Sequence, residues 1–340
     1  MSGPLVAGQP AAWPAAAPAL ELRAATGPDG LALTERPVVA PAPTQVLVRV
    51  AAAPVNPSDL AFLAGSYGAR RPLPTVPGFE GSGTVIAAGG SPEAQALLGR
   101  RVAFAAGSDG CWAAYTTCAA RACVPLTDEV SLEEGASLMI NPTTAWALLA
   151  LAAPSSPRAI VQTAAGSSLG RMIARLARRR GVAVVQVVRR PAAAEVLRAA
   201  GEEHVLDSSA PDFESALAAR TAALGAHVAL DAVGGAMTSC LVRALPAASR
   251  VVVYGALAGD AAPVSALDLI FGDKSIEGFW LASWLRRLDP SALTAVRAGV
   301  QERLGDDLRT DYAARLSLAE APARLGELVA RGAGKVLLVP

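Results

Sequence analysis

Short apolar runs alternate with longer helical stretches in the second part of the chain, from about residue 140 onwards. The runs are apolar on both faces, and the stretches between them are about 10–15 residues long, enough for a crossover helix. A parallel sheet that is buried on both sides requires strands of this kind, joined by helices that pack on its faces. The pattern therefore predicts a doubly wound α/β domain with strands at 158–163, 182–188, 203–207, 226–233 and 250–255.

The first part of the chain, from about residue 20 to 125, consists of short apolar segments broken by Pro and Gly. Gln45–Val55 is rich in Val with partial alternation, which is typical of a β-strand, and Gly81–Gly89 and Arg100–Ala106 have a similar character. The Pro and Gly residues between them mark turns rather than helices. This part is therefore predicted to be a β-rich domain.

The end of the chain predicts a return to the β-rich domain. Two helical patterns, around 291–304 and 318–330, are followed by a last apolar strand at 335–339. An α/β domain is thus inserted between two segments of another domain, which agrees with the size of a two-domain chain. The predicted organisation is a mobile Ala/Pro-rich tail at 1–17, a β-rich domain formed by 18–140 and 282–340, and an α/β domain at 141–281.

Composition narrows the classes of function. In 340 residues, 30 basic side chains stand against 29 acidic ones, and this balance gives no sign of a nucleic-acid partner. No apolar run reaches the ~20 residues of a membrane span. The first 20 residues lack a basic region and are interrupted by prolines, which argues against a signal peptide. We expect a soluble, cytoplasmic protein without a membrane partner.

The cysteines are too few for a disulfide framework, with four in the whole chain. Cys111, Cys118 and Cys123 lie close together in the sequence, so a structural zinc site is an alternative. Such sites use paired Cys-x2-Cys ligands, and that pairing is missing here. Reduced thiols are the favoured interpretation.

One segment, 158–181, reads as strand, tight turn and helix and resembles a dinucleotide phosphate loop. Gly170 aligns with the third glycine of G-x-G-x-x-G, while Ala165 and Ser167 stand at the first two positions. Ser168 and Leu169 complete the turn. Small residues and the free amides of a helix N-terminus suit a pyrophosphate. The alternative is an ordinary turn between a strand and a helix.

The end of the second strand of this domain indicates which dinucleotide is preferred. An NAD site places an acidic residue there, about 20 residues after the glycine motif. No acidic residue occurs between Arg171 and Ala194, and the strand ends in Arg189 and Arg190. Guanidinium groups bind a 2′-phosphate well. NADPH is therefore favoured over NADH, with two solvated arginines as the alternative.

With these motifs in view, the chain resembles the medium-chain dehydrogenase/reductase superfamily from about residue 20 to its end. The segments that carry the resemblance are 46–60, 65–85, 139–149, the phosphate loop, 230–235 and 251–259. The resemblance implies a GroES-like β-rich domain that holds the substrate, together with a Rossmann doubly wound parallel sheet domain. It also implies an active site in the cleft between the two, and a homodimer.

Zinc alcohol dehydrogenases of this superfamily place a Cys and a His where this chain has Asn56–Asp59 and Gly78–Glu80. Phe79 stands at the histidine position and cannot bind zinc. The only histidines, His204 and His227, fall in the Rossmann part. We therefore expect no metal at the site.

Among the zinc-free members, the loop at 162–170 is closer to mitochondrial-type 2-enoyl thioester reductases than to quinone oxidoreductases. Ala165 and Ser168 depart from the pattern of the enoyl reductases, where Ser and Gly are expected. The resemblance implies NADPH-dependent reduction of a polarised C=C bond, in an enoyl thioester of CoA or acyl carrier protein. The alternatives are an NADPH:quinone (enone) oxidoreductase and, more remotely, a non-catalytic NADPH-binding protein.

Two residues of the β-rich domain are candidates for catalysis. Tyr67 lies before a Pro-rich turn, and its phenol can donate a hydrogen bond to a thioester oxygen. It aligns with the tyrosine that enoyl reductases present to the substrate. Asn56 offers a donor and an acceptor near the nicotinamide. A loop tyrosine that closes the cleft and a turn asparagine are the alternatives.

The resemblance also assigns further residues to the cofactor and substrate. Those expected beside the cofactor are Asn141, Thr144, Tyr254, Gly255, Phe279, Leu281 and Lys335. Asn141 and Thr144 are alternatively helix-capping residues, and Lys335 is alternatively a solvated lysine at a strand start. Trp280 and Trp284 are expected in an apolar acyl pocket, with core or dimer interface as the alternative.

Overall fold

The computed structural model describes residues 13–68, 71–152, 157–259, 261–332 and 334–340. By its contacts the chain divides into two units. The first comprises the described residues up to Ile140, with Gln301–Gly305 and Arg309–Pro340; the second comprises Asn141–Val300 and Asp306–Leu308. In this division residues 282–300 group with the second unit, whereas the sequence predicts that the chain returns to the first domain at 282. The domain boundary itself stays a prediction.

The strands and helices are numbered in chain order. The strands are β1 (Ala16–Leu22), β2 (Leu31–Pro37), β3 (Gln45–Pro54), β4 (Glu80–Ala88), β5 (Arg101–Ala105), β6 (Tyr115–Ala119), β7 (Cys123–Pro125), β8 (Ala159–Gln162), β9 (Ala183–Val188), β10 (Val205–Asp207), β11 (Val228–Asp231), β12 (Arg250–Val253), β13 (Ser275–Gly278), β14 (Tyr312–Ser317) and β15 (Lys335–Val339). The helices are α1 (Pro57–Leu63), α2 (Pro92–Gln95), α3 (Leu132–Gly135), α4 (Asn141–Ala152), α5 (Ser168–Arg179), α6 (Pro191–Ala199), α7 (Phe213–Leu224), α8 (Gly235–Ala244), α9 (Ala266–Gly272), α10 (Leu281–Arg286), α11 (Pro290–Glu302) and α12 (Ala321–Ala330). None of the helices in the described ranges has the length and apolar character that crossing a membrane requires.

The first unit is built on a seven-stranded sheet in the order β14-β15-β3-β4-β5-β7, with β6 also paired to β3. Phe104 and Trp112 are among the largest buried side chains of its core. The strands predicted at 45–55, 81–89 and 100–106 are confirmed as β3, β4 and β5. The C-terminal strand β15 pairs antiparallel with the end of β3, where Leu337 lies opposite Pro54. This pairing places the start of β15 beside the start of α1.

The N-terminal segment differs in part from its prediction. Residues 1–12 of the expected tail lie outside the described part of the chain. The strand β1 begins at Ala16 and pairs along its length with β2, so Ala16 and Ala17 belong to a hairpin rather than to a tail. Their small side chains carry no strong strand signal, which is why the pattern does not reveal the strand.

The second unit is a six-stranded sheet in the order β10-β9-β8-β11-β12-β13, and all its neighbours are parallel. This is the doubly wound Rossmann order, and it confirms the predicted fold class. The five predicted apolar runs correspond to β8–β12. The sixth strand, β13, lies at an edge and is mostly exposed, so it lacks the two-sided apolar pattern.

Lys274 closes the C-terminal end of α8. Its ammonium donates to the backbone oxygens of Val242 at 2.6 Å and Leu245 at 2.7 Å. The last carbonyls of a helix have no partner within the helix, and a cation there is favourable. Lys274 therefore has a structural role in the second unit.

Gly170, in the first turn of α5, lies against the preceding loop. A Cβ atom at this position would lie 2.6 Å from the backbone oxygen of Ala165 and 2.9 Å from that of Ala164. Both atoms belong to the backbone, so neither can move aside cheaply. This contact requires glycine, as the sequence motif predicts.

We expect Gly170→Ala to lower the melting temperature by several degrees, since overpacking of this kind costs about 1–3 kcal/mol. Gly166→Ala is the matched control from the same loop, because a Cβ atom there meets nothing within 4 Å. Thermal unfolding of both variants without ligands checks the prediction. Equal melting temperatures for the two would contradict it.

Candidate active site

A cavity of about 460 Å³ opens at the carboxyl ends of the parallel strands in the second unit. Ligands of open α/β sheets bind at this edge, next to the point where the strand order reverses. The reversal here lies between β8 and β11. The cavity is lined by Thr163, Ala164, Gly166, Ser167, Val187, Val188, Arg189, Arg190, Ala193, Ser208, Val233, Met237, Leu257 and Ala258.

The loop from β8 to α5 forms one wall of this cavity. Ser167 caps α5, since its Oγ accepts from the backbone N–H of Gly170 at 3.0 Å. Ala165 is buried and its N–H donates to the backbone oxygen of Val187 at 3.1 Å, so it packs behind the loop. The exposed start of a helix together with small side chains suits a phosphate group.

The left-handed position of the loop is Ala164, with φ of 50°. Alanine adopts this conformation at a cost of about 1–2 kcal/mol relative to the right-handed region. The alignment of the glycine motif starts at Ala165 and thus misses the residue where the backbone bends. Because the residue there is alanine, the sequence gives no signal for the left-handed conformation.

Arg189 and Arg190 line the cavity at the end of β9, and both are exposed. Within the described ranges neither guanidinium forms a salt bridge, and no acidic side chain lines the cavity. Ser208 follows β10 and joins this wall, where its N–H donates to the backbone oxygen of Val188 at 2.8 Å. The sequence gives no signal for Ser208. The wall thus presents two uncompensated positive charges and a hydroxyl.

Asp231, at the end of β11, is fully buried and holds neighbouring loops together. Its carboxylate accepts from the hydroxyls of Thr163 at 2.8 Å and Thr238 at 2.6 Å. It also accepts from the backbone N–H groups of Val233 at 2.9 Å and Gly234 at 3.3 Å. These four bonds satisfy the carboxylate without a cation, and they fix two walls of the cavity. The sequence motif 230–235 contains this residue, but its role is not evident from it.

Most of the other predicted cofactor residues lie in the second unit but do not line this cavity, whereas Lys335 lies in the first unit. Asn141 and Thr144 are in the first turn of α4 and are buried. Ser168 and Leu169 start α5.

Residues after the last two strands of this sheet were also predicted to contact the cofactor. Burial first, and the charge of Asp231 second, raise the pKa of Tyr254. Its hydroxyl is enclosed, with no hydrogen-bond partner in the described part of the chain. Gly255 packs on the backbone of Ala232. Phe279 donates its N–H to the oxygen of Val253 at 2.8 Å as the chain leaves β13.

The predicted acyl-pocket residues lie around the short helix α10, which Leu281 begins. Trp280 is 56% exposed, and the guanidinium carbon of Arg286 lies 4.9 Å from its ring centre. Trp284 is half-buried within the helix. Neither tryptophan lines the cavity described above, so their assignment to a substrate pocket stays a prediction.

The first unit contains a buried polar cluster that consists of Asn56, Asp59, Glu80 and Lys335. Asn56 donates from Nδ2 to Oε1 of Glu80 at 2.9 Å, and Oε2 of Glu80 accepts from the N–H of Ile140 at 2.9 Å. The ammonium of Lys335 donates to Oδ1 of Asn56. Asp59 accepts from the N–H of Asn56 at 2.7 Å, closing a capping box at the start of α1.

The position of Lys335 corrects one of the two expectations for this residue. It is only 7% exposed, so it is not a solvated lysine at a strand start. Its ammonium is bonded to Asn56 and is attracted by Glu80 and Asp59, and its contact with a cofactor stays a prediction. The sequence could not reveal the bond to Asn56, because Asn56 lies 279 residues away along the chain.

Burial is the main cause of the pKa shifts in this cluster. Desolvation raises the pKa of Asp59 to about 6 and that of Glu80 to about 7, although Lys335 and hydrogen bonds from Asn56 oppose the shift. Desolvation lowers the pKa of Lys335, against the attraction of Glu80 and Asp59. Within the described ranges no three His, Cys, Asp or Glu side chains are grouped as metal ligands would be.

Tyr67 lies just beyond α1 and packs on an aromatic group. Its ring centre is 5.0 Å from that of Phe79, which in turn meets the edge of Phe62 at 5.5 Å. The guanidinium of Arg71 lies over both phenylalanine rings, at 5.2 and 5.3 Å, and donates to the backbone oxygen of Val76. The sequence analysis did not single out Arg71.

A second cavity, of about 390 Å³, brings Tyr67 and Arg71 together in the first unit. It is lined by Leu22, Ala25, Phe62, Ala64, Gly65, Tyr67, Arg71 and Leu73. The lining is mostly apolar, with one phenol and one cation as hydrogen-bond donors. Such a cavity suits an apolar molecule that carries a carbonyl oxygen.

The cluster predicts how stability depends on pH. Unfolded Asp and Glu have pKa values of about 4, below the values of about 6 and about 7 in the folded protein. Between these pH values both groups therefore bind more protons in the folded state than in the unfolded state. Their contribution to the free energy of unfolding is fully present below pH ~4 and is lost as the pH rises through about 6 and 7. We expect the melting temperature to fall between pH 5 and 8, and to fall less steeply in Glu80→Gln. Thermal unfolding across this range measures both slopes.

The control for this measurement is Glu93→Gln, which changes an exposed carboxylate on α2. Its slope should match that of the unaltered protein. The prediction concerns the slope and not the absolute stability, because the amide in Glu80→Gln cannot accept both hydrogen bonds that the carboxylate accepts. A Glu80→Gln slope equal to that of the unaltered protein would contradict the prediction.

Comparison with known proteins agrees with this architecture. Residues 42–128 match the family described as "Alcohol dehydrogenase GroES-like domain", and residues 168–296 match "Zinc-binding dehydrogenase". The mitochondrial enoyl-[acyl-carrier-protein] reductase of Arabidopsis thaliana is 31% identical over 264 residues, which cover 76% of this chain and 70% of the relative. The human protein of the same name is 30% identical over 255 residues, covering 73% and 67%.

Solved structures give the same result for the fold. A Mesorhizobium loti protein, named provisionally an NADPH:quinone reductase, is 36% identical with a TM-score of 0.91, covering 97% of this chain and 100% of that one. A mycobacterial protein solved with NADPH is 26% identical with a TM-score of 0.82, covering 95% and 100%. Two matching domain families in sequence order, together with a relative above 30% identity, support one conclusion. The chain belongs to the medium-chain dehydrogenase/reductase superfamily.

Proposed function

We propose that the protein is an NADPH-dependent reductase of a polarised C=C bond, with a 2-enoyl thioester of CoA or acyl carrier protein as its substrate. The observation that carries the proposal is the cavity of the second unit. It combines a phosphate loop with two uncompensated arginines at the end of the second parallel strand. The names of the curated relatives, which are enoyl reductases, support the choice of substrate.

The residues present fit the cofactor. Gly170 has no room for a side chain beside the backbone of Ala165, and the start of α5 at the end of this loop suits a pyrophosphate. Arg189, Arg190 and Ser208 would hold the adenosine end with its 2′-phosphate. When bound, the reduced nicotinamide supplies a hydride equivalent to the β-carbon.

The protein's own contribution to the chemistry is stabilisation of the negative charge that develops on the thioester oxygen. Tyr67 would donate its hydroxyl hydrogen bond to that oxygen or supply the α-proton. Arg71, in the same cavity, adds a positive charge in a largely apolar surrounding. The apolar lining would exclude water from the reacting carbonyl group.

A quinone or enone reductase is the second candidate. It is favoured by the Mesorhizobium loti structure, whose identity to this chain is higher than that of the curated enoyl reductases. A quinone oxygen also accepts hydrogen bonds from a phenol and a guanidinium. The proposed site therefore serves either substrate chemically, and kinetics must separate them. A non-catalytic NADPH-binding protein is the remaining alternative.

We expect NADPH oxidation with crotonyl-CoA to be faster, in kcat/KM, than with 1,4-naphthoquinone. In Tyr67→Phe, kcat for crotonyl-CoA should fall by about tenfold to a hundredfold, since loss of one such donor typically has an effect of this order or more. Steady-state kinetics measure both. The matched control is Tyr115→Phe, a half-buried tyrosine on β6 that does not line the Tyr67 cavity.

The outcomes separate the three functions. Turnover of the quinone alone would exclude the enoyl reductase and favour the second candidate. Absence of turnover with either acceptor, in a protein that binds NADPH, would favour the non-catalytic alternative. Full kcat in Tyr67→Phe would remove Tyr67 from the catalytic role.

Cofactor selectivity gives a second test. We expect the unaltered protein to bind NADPH more tightly than NADH. The Arg189→Ala/Arg190→Ala variant should raise the Kd of NADPH at least about tenfold, because both guanidinium groups would face the 2′-phosphate. NADH lacks that phosphate and is the control ligand, with a Kd expected to change by less than about twofold. Fluorescence titration measures both, and equal affinities in the unaltered protein would refute the assignment.

We also propose that the chain forms a homodimer through the edge of the second-unit sheet. The edge strand β13 pairs only with β12 among the described strands, and α9 has no buried residue. Their exposed apolar side chains are Leu267, Ile270, Phe271, Ile276 and, just beyond β13, Trp280. Open edges and apolar patches favour association, and a second copy can pair its own β13 antiparallel across a twofold axis.

The oligomeric state tests this interface. Ile270→Ser/Phe271→Ser is expected to convert a dimer to a monomer, because serine would bury much less apolar area in the interface. Phe271 is 82% exposed in the single chain and would contribute a large part of that area. Val196→Ser on α6 is the control, since Val196 is also exposed but lies outside the patch. Light scattering after size exclusion gives the mass. A monomer without substitutions, or a dimer that both variants retain, would refute the proposal.

The cytoplasmic location and the independence from zinc remain predictions of the sequence. The curated relatives carry "mitochondrial" in their names. The prediction that no zinc is bound depends on Phe79, which stands where the zinc enzymes have a histidine. The ring of Phe79 packs on Phe62 and Tyr67.

A further inference from the structure

Lys335 is the buried charged group that the proposed chemistry does not use. Its ammonium donates to Oδ1 of Asn56, and Glu80 and Asp59 attract it. An ion placed in a protein interior is costly unless it is paired and hydrogen-bonded. Lys335 therefore interacts strongly with the side chains around it, and its effect on their positions can be followed through the structure.

The first consequence is that the Asn56 amide has only one favourable orientation. Its oxygen faces the ammonium of Lys335, and its Nδ2 donates to Glu80 at 2.9 Å. A flipped amide would bring the NH2 group against the ammonium and the oxygen against the carboxylate. Both contacts would become repulsive, so charges at its two ends lock the side chain.

The second consequence is that Asn56 fixes α1. Asn56 is the N-cap of this helix, and the capping box with Asp59 defines its first turn. The helix has only seven residues, and Tyr67 follows soon after, with its N–H donating to the oxygen of Ala61 at 3.2 Å. A displacement of the N-cap is thus carried to Tyr67 through one short, rigid element.

A second route runs through Asp59. Its Oδ1 accepts from the N–H of Phe79 at 3.1 Å, and the ring of Phe79 packs on that of Tyr67. Lys335 compensates the charge of Asp59 as well. The buried cluster therefore reaches Tyr67 through its helix and through its aromatic neighbour.

We propose that Lys335 is a positioning residue for Tyr67: by locking Asn56 and compensating Glu80 and Asp59, it holds α1 and Phe79 where the Tyr67 hydroxyl is needed. The catalytic consequence rests on the proposed reductase function, whereas the positional one does not. This role replaces the cofactor contact that the sequence suggests for Lys335. The two roles predict different behaviour of a Lys335→Met variant.

The position of Tyr67 can be observed without any activity. The chain has four tyrosines, so 3-fluorotyrosine labelling gives a simple fluorine NMR spectrum, and Tyr67→Phe assigns the Tyr67 signal. In Lys335→Met that signal should shift or broaden, while the signal of Tyr254, in the second unit, stays in place. Lys335→Arg should restore it in part. An unchanged Tyr67 signal in a folded Lys335→Met protein would overturn the proposal.

A variant with fewer uncompensated charges covers the case in which Lys335→Met does not fold. Lys335→Met/Glu80→Gln removes one cation and one carboxylate together, and leaves Asn56 without its two charged partners. The Tyr67 signal should shift here as well. An unchanged signal in this variant counts against the proposal in the same way.

Steady-state kinetics and cofactor titration give a second test of the role of Lys335. In Lys335→Met, kcat for crotonyl-CoA should fall at least about tenfold, while the Kd of NADPH stays within about twofold. A weakened NADPH complex with an unchanged kcat at saturation would assign Lys335 to the cofactor and overturn the proposal. If the unaltered protein reduces no enoyl thioester, the proposed function fails by itself, and the fluorine spectrum still decides the role of Lys335.

Discussion

The first unit depends on one buried ammonium, which is bonded to Asn56 and attracted by two buried carboxylates. Ions removed from water lose several kcal/mol of hydration each, and they recover it only through close partners of opposite charge. Lys335 reaches its partners because β15 pairs with β3 beside the start of α1. Without β15, Glu80 and Asp59 would remain in the interior without the ammonium of Lys335. The separate chain segments of the first unit are therefore held together by electrostatic attraction as well as by apolar packing.

The second unit neutralises Asp231 in the opposite way. This buried carboxylate is satisfied by hydroxyl and amide donors, so no cation is needed beside it. Arg189 and Arg190 are exposed at the cavity, where a bound phosphate would compensate their positive charge. One unit thus uses internal neutralisation to hold a side chain in place, and the other keeps positive charge available for a ligand. This division suits an enzyme that binds an anionic cofactor with one unit and an apolar carbonyl compound with the other.

Sequence alone predicted the interior of the fold better than its edges. The strands β8–β12 were found because strands covered on both faces must be apolar throughout. The edge strand β13 and the hairpin strand β1 escaped notice, because exposed or Ala-rich strands carry no such pattern.

At the candidate site, sequence reasoning succeeded where a local motif forces a local geometry, and failed where partners are distant. Gly170, which the spacing places at the third glycine of the motif, makes a close backbone contact, and Arg189 and Arg190 line the cavity. The bond of Lys335 to Asn56 was not predicted because nothing near Lys335 in the sequence identifies Asn56, and Ala164 was missed because the motif records spacing and not dihedral angles. Both lysines of the chain, Lys274 and Lys335, give their ammonium groups to protein oxygens. Lys335 is buried and Lys274 is partly exposed with its ammonium bonded to backbone oxygens, so arginine side chains supply almost all of the protein's basic surface.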